Sequence, residues 1–206
     1  MTMGQTLRRV GLTERGAAMI DFRDGCAELS RMIAQVTDDD LSLPTPCTDL
    51  DVAGLLRHVE EFATGFTEAA GSSPTGPGVD DVRGDGRRAH IAAHVTDLGG
   101  AWATPQPWAG TGDQGGLALP NETWGRIALT EVIVHGWDLA VAIGADYCPP
   151  ADLVRACHDH VVVFVPTAPI PALWGDRVVV GENDLLESTV AITGRDPVPW
   201  RGSPDG

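Results

Sequence analysis

Apolar residues recur along most of the chain at steps of three and four, the spacing that places side chains on one face of an α-helix. Over 21–36, Phe22, Cys26, Leu29, Ile33 and Val36 form one such stripe. "SLPTPC" then breaks the chain, and Val52, Leu55, Val59, Phe62 and Phe66 form a second stripe over 51–66. Thr48, with Asp51 three residues later, predicts a capping box at the start of that helix. A Gly/Pro/Ser-rich crossover leads to a third stripe of Ile91, Val95, Leu98 and Trp102. Residues 127–144 are apolar on nearly every side and close at Gly144, which predicts the central helix. A further helix over 151–164 puts Leu153, Cys157, His160 and Phe164 on one face, and the tail predicts a short strand and one last short helix ending at Gly194. The expected fold is all-α: an antiparallel four-helix bundle with a small C-terminal addition. Residues 1–18 lack sustained periodicity and predict an N-terminal arm, leaving 19–206 as one domain.

Composition narrows the partners. The chain has 206 residues and a formal charge of −15, which argues against nucleic acid or an anionic membrane, both of which reward basic side chains. All the basic residues are arginines, so a Schiff-base or P-loop lysine is excluded. Four scattered cysteines without a CxxC pair, no secretory leader and no long apolar run predict a cytoplasmic protein with reduced thiols and no membrane span. Small molecules or proteins remain as partners, a second copy in a homodimer among them.

The central helix "IALTEVIVHGWDLAVAIG" holds three titratable groups that apolar surroundings penalise unless something compensates them. Glu131, His135 and Asp138 stand at i, i+4 and i+7, on one stripe. His58 lies at the border of the apolar face over 51–66, beside Phe62. Side chains from two helices of a bundle can converge, and His58, Glu131 and His135 would offer a divalent ion three ligands with a coordination position left open. Spacing alone leaves a second reading equally open, in which a core His135 bonds a carboxylate and His58 sits at the surface.

The ordered stretches "DDDLSLPTPCTDLDVAGLLRHV", "ALTEVIVHGWDLAVAIG" and "ITGRDP" resemble the motif order of the DinB/YfiT superfamily, in its branch of mycothiol-dependent maleylpyruvate isomerase-like proteins. The resemblance runs from about Met19 to Trp200, with little of it between Gly71 and Pro120. It implies a DinB-like bundle that binds a divalent metal, zinc or nickel, through His58, Glu131 and His135. Leu50 stands where that family often has an aromatic residue. Asp138 then becomes either the acceptor that orients a ligating imidazole or the partner of an arginine.

Other titratable and aromatic residues have plainer roles. His90 and His94 have metal-pair spacing but point away from their helix's stripe, which predicts a solvated flank. His160 is expected to be a satisfied core histidine, Trp137 a packing residue and Cys47 a small buried apolar side chain, although a helix start can also activate a thiol. No catalytic residue is assigned.

The resemblance implies that the metal takes up mycothiol as its thiolate for attack on a small electrophile, as an isomerase or S-transferase. Metal-activated water in a hydrolase or lyase, and a non-catalytic metal-binding helical protein, remain as alternatives. The net charge disfavours a highly anionic substrate unless arginines such as Arg57 or Arg126 offset it.

Overall fold

In a computed structural model the described residues are 19–78, 81–181 and 184–200. The expected N-terminal arm, 1–18, lies outside them. Six α-helices follow in chain order: α1 (Arg23–Gln35), α2 (Val52–Ala69), α3 (Asp85–Ala101), α4 (Asn121–Ile143), α5 (Ala151–Phe164) and α6 (Leu185–Ile192). A two-stranded antiparallel hairpin, β1 (Thr111–Gln114) and β2 (Leu117–Pro120), precedes α4.

The protein is thus mostly helical with a small sheet. α3 packs against α1 and α2, and α4 packs against α1, α2 and α5, an arrangement compatible with the expected bundle. α4 is buried almost continuously from Ala128 to Ala140, as a helix apolar on all sides must be. It ends at Gly144, whose φ of 68° is the left-handed conformation glycine accepts without strain.

Three local expectations are corrected. α2 is capped by Asp51, whose carboxylate accepts from the Gly54 N–H at 2.7 Å; Thr48 lies in the preceding turn and is no part of a capping box. The segment before α4 forms the hairpin, because Gly115 and Gly116 both adopt positive φ, the requirement of a two-residue turn that matches strand twist. In the tail α6 forms as expected, but the described residues ahead of it hold no strand.

α3 is buried on more of its circumference than its stripe suggests, since helices cover it from two sides. His94 is fully buried there and bonds the Glu60 carboxylate of α2 through Nδ1 at 2.8 Å and the Thr75 carbonyl through Nε2 at 2.8 Å. The solvated-flank expectation fails for His94. His90, half-buried, faces the Pro77 carbonyl.

Candidate metal centre

α2 and α4 lie side by side, so residues on their facing edges meet. His58 Nε2 and His135 Nε2 are 3.1 Å apart, and Glu131 Oε2 is 3.4 Å from the first and 2.8 Å from the second. The three side chains singled out in the sequence therefore converge on one point. His58 keeps its ring against Phe62, centroid to centroid 5.7 Å, as its border position predicts.

The other face of the His135 ring fixes which nitrogen is available. Nδ1 bonds Asp138 Oδ2 at 2.9 Å, and Asp138 is fully buried. With Nδ1–H donating there, Nε2 presents its lone pair toward His58 and Glu131. Three electron-rich atoms aimed at one another repel unless a positive species sits among them. A tetrahedral ion with bonds of about 2.0–2.1 Å would hold adjacent ligand atoms about 3.3 Å apart, close to the separations observed, so the donor set fits a divalent cation.

Without such an ion a proton takes its place. Burial opposes a charge on His135, but its bonds to Asp138 and Glu131 outweigh that and raise its pKa to about 9. Burial likewise opposes a charged Glu131, and the two imidazoles overcome it, holding this carboxyl well below its usual range. The electrostatics favour a carboxylate and a cation at this point, whichever cation it is.

Asp138 bonds both an imidazole and an arginine. Besides orienting His135, it accepts from Arg195 through Nη2 at 3.0 Å and Nε at 3.3 Å. Arg195 comes from "ITGRDP" after α6, and its guanidinium also donates to the Thr193 carbonyl. Its part in the site was missed: the stretch was recognisable as a motif, but a pairing across 57 residues leaves no spacing signal.

The "TPCTDLD" turn leads into α2, held by the Thr45 hydroxyl donating to the Leu50 carbonyl at 2.8 Å. It brings Cys47 alongside, half-buried. Cys47, His135 and Asp138 also place donor atoms near one another. Asp138 is, however, already committed to Nδ1 and Arg195, which leaves His58, Glu131 and His135 as the better donor set. Burial pushes the Cys47 thiol up more than Arg195 lowers it, in keeping with a protonated side chain rather than an activated thiolate.

The donor cluster lines a cavity of about 780 Å³ together with Cys47, Arg195 and a series of apolar side chains. Within it are Phe66 and Trp124, 6.3 Å apart, and Phe164 and Trp174, 6.1 Å apart. Neither arginine considered as a charge offset lines it: Arg57 borders a separate small cleft with Asp51 and Asp81, and Arg126 pairs with Glu122. Trp137 packs against Val134 and Val190, the structural role expected of it. His160 is buried as expected but not satisfied, since its Nε2 has no hydrogen-bond partner among the described residues.

The chain is similar in sequence to known proteins. Two similar curated proteins come from Mycobacterium tuberculosis, Uncharacterized protein MT0763 of strain CDC 1551 / Oshkosh and Uncharacterized protein Rv0738 of strain ATCC 25618 / H37Rv. Each is 30% identical over 116 residues, which cover 55% of this chain and 60% of the relative. No solved structure matches. Residues 22–140, more than half of the chain and including His58, Glu131 and His135, match the family described as the mycothiol maleylpyruvate isomerase N-terminal domain. On that match the chain belongs to the mycothiol maleylpyruvate isomerase N-terminal domain family, within the DinB-like superfamily.

Proposed function

We propose that the protein is a metal-dependent enzyme that uses a low-molecular-weight thiol, mycothiol, on a small electrophilic substrate, as an isomerase or S-transferase, on a DinB-like four-helix bundle. His58, Glu131 and His135 hold the ion, zinc or nickel. The observation that carries this reading is the convergence of three lone-pair donors at the wall of a cavity large enough for small-molecule ligands.

A divalent ion held there supplies a Lewis acid that favours the thiolate over the thiol at neutral pH. The chain's own residues set the stage for it. Asp138 fixes the His135 tautomer, and Arg195 holds Asp138 in place. Glu131 and the two imidazoles would supply three ligands to a divalent ion at the cavity wall, and Phe66, Trp124 and Phe164 give the same cavity an apolar lining.

The test is cobalt substitution. Titrating mycothiol into the cobalt-loaded protein should produce a sulfur-to-cobalt charge-transfer band that His135→Ala abolishes. A spectrum unmoved by saturating thiol, with thiol-independent hydrolysis of an ester or amide, would overturn this reading in favour of metal-activated water.

A further inference from the structure

Resting on the thiol reading above, we infer that the second substrate is an uncharged molecule of aromatic size rather than a dicarboxylate, and that Phe164 and Trp174 help select it. The argument begins with charge. Among the described residues, Arg195 is the lone guanidinium lining the cavity, and it is spent on Asp138 at two contacts. A divalent ion and Arg195, set against Glu131 and Asp138, leave a single positive charge. One thiolate neutralises it.

Among the described residues that line the cavity, no other cationic side chain would receive a second or third negative charge. Asp49, exposed at the rim, adds a negative one, and the chain as a whole carries −15. The imidazole nearest the Phe164 wall is no substitute. His160 stacks on Phe164 with centroids 4.8 Å apart, and burial, with Arg126 nearby, lowers its pKa to about 4, so it stands neutral. Carboxylates placed against these walls would lose water and gain no cation.

The walls instead suit a flat apolar body. Trp174 meets Phe164 edge-on at 80°, both line the cavity, and Ile170 and Leu119 extend the apolar lining. The division along the chain supports a specificity role. The metal-site residues fall inside the family segment 22–140, whereas Phe164, Ile170 and Trp174 lie beyond it. The segment that the family match covers builds the metal end, and the segment after it shapes what is accepted beside it.

The experiment is calorimetric titration of the metal-loaded full chain, saturated with azide so that one monoanion occupies the ion as the thiolate would, with phthalate and with dimethyl phthalate, which share a ring and differ in charge. Dimethyl phthalate should bind about tenfold or more tightly than phthalate. Phe164→Leu and Trp174→Ala should each weaken the ester about fivefold without loss of bound metal. Ile170→Arg, at a half-exposed position that tolerates a long polar side chain, should raise phthalate affinity by a similar factor. Phthalate binding as tightly as the ester, no detectable ester binding, or ester binding indifferent to both wall variants would overturn the inference. Neither titration uses a thiol, so a negative cobalt–mycothiol result would remove the proposed reaction while this preference is still read separately.

Discussion

His135 is shared between two carboxylates, so an ion bound there would compete with a proton for the same nitrogen. Its folded pKa lies at about 9, raised from 6.5, because Asp138 and Glu131 outweigh the burial that opposes the charge. A pKa raised on folding adds stability that is full below the unfolded value and is lost as pH rises through the folded one. The metal-free protein should therefore lose this contribution between about pH 6.5 and 9. An ion has to displace the same proton, so its affinity should rise with pH over that window, by about tenfold per unit for one released proton, and level off above it. Equilibrium metal titrations between pH 6 and 10 read this directly. Asp138→Asn should weaken metal binding by about 10–100-fold and flatten the slope. A pH-independent affinity in the unmodified chain would rule out His135 Nε2 as a ligand. The triad was legible because i and i+4 on one helix, and a histidine at an apolar border on another, are geometric statements; Arg195 was not, because its contact is made by chain return.

At the scale of the elements, the helices were legible wherever one stripe faced one neighbour. α1, α2 and α5 have a single apolar face, and their stripes mark the buried side. α3 was half legible, since it is covered by α1 on one side and α2 on another, and its apolar stripe says nothing of His94 meeting Glu60. The hairpin escaped because strands of four residues show too little alternation to stand out, and its signal was the Gly115–Gly116 pair alone. Packing between elements can be tested with two glycines. Gly65, within α2, has open space where a Cβ would go, whereas a Cβ on Gly125 of α4 would come 2.7 Å from the Trp108 ring and 2.8 Å from Trp102. Both indoles are buried and tied, Trp108 Nε1 donating to the Trp102 carbonyl and Trp102 Nε1 to that of Phe66. Gly65→Ala should stabilise by about 0.4–1 kcal/mol through helix propensity and a less flexible unfolded chain. Gly125→Ala should destabilise by about 1–2 kcal/mol, because overpacking exceeds the same propensity gain. Denaturant midpoints with unchanged slopes would measure both, and a stabilised Gly125→Ala would show that the two indoles can move.

At the scale of the molecule, a bound ion would be a cross-link between α2 and α4, the pair whose facing edges carry His58 on one side and Glu131 and His135 on the other. These two helices also connect the hydrophobic core to the cavity, so the ion's binding energy would act on the whole folded chain. A ligand that binds only the native state stabilises it by an amount set by its free concentration relative to its Kd. That is about 4 kcal/mol at a thousandfold excess. For a chain of 206 residues each kcal/mol moves the melting temperature by about 2–4 °C, so chelation should lower Tm by about 8–16 °C under those conditions. The size of the drop should depend on metal concentration, as linkage requires. His58→Ala, which removes the α2 side of the cross-link, should lower the starting Tm and abolish most of the response to chelator. His94→Ala should behave differently: it removes a fully buried imidazole with its bonds to the Glu60 carboxylate and the Thr75 carbonyl and should lower the starting Tm, yet the chelator response should persist, because His94 lies outside the donor cluster. A Tm indifferent to saturating metal, or a full chelator response in His58→Ala, would refute the cross-link.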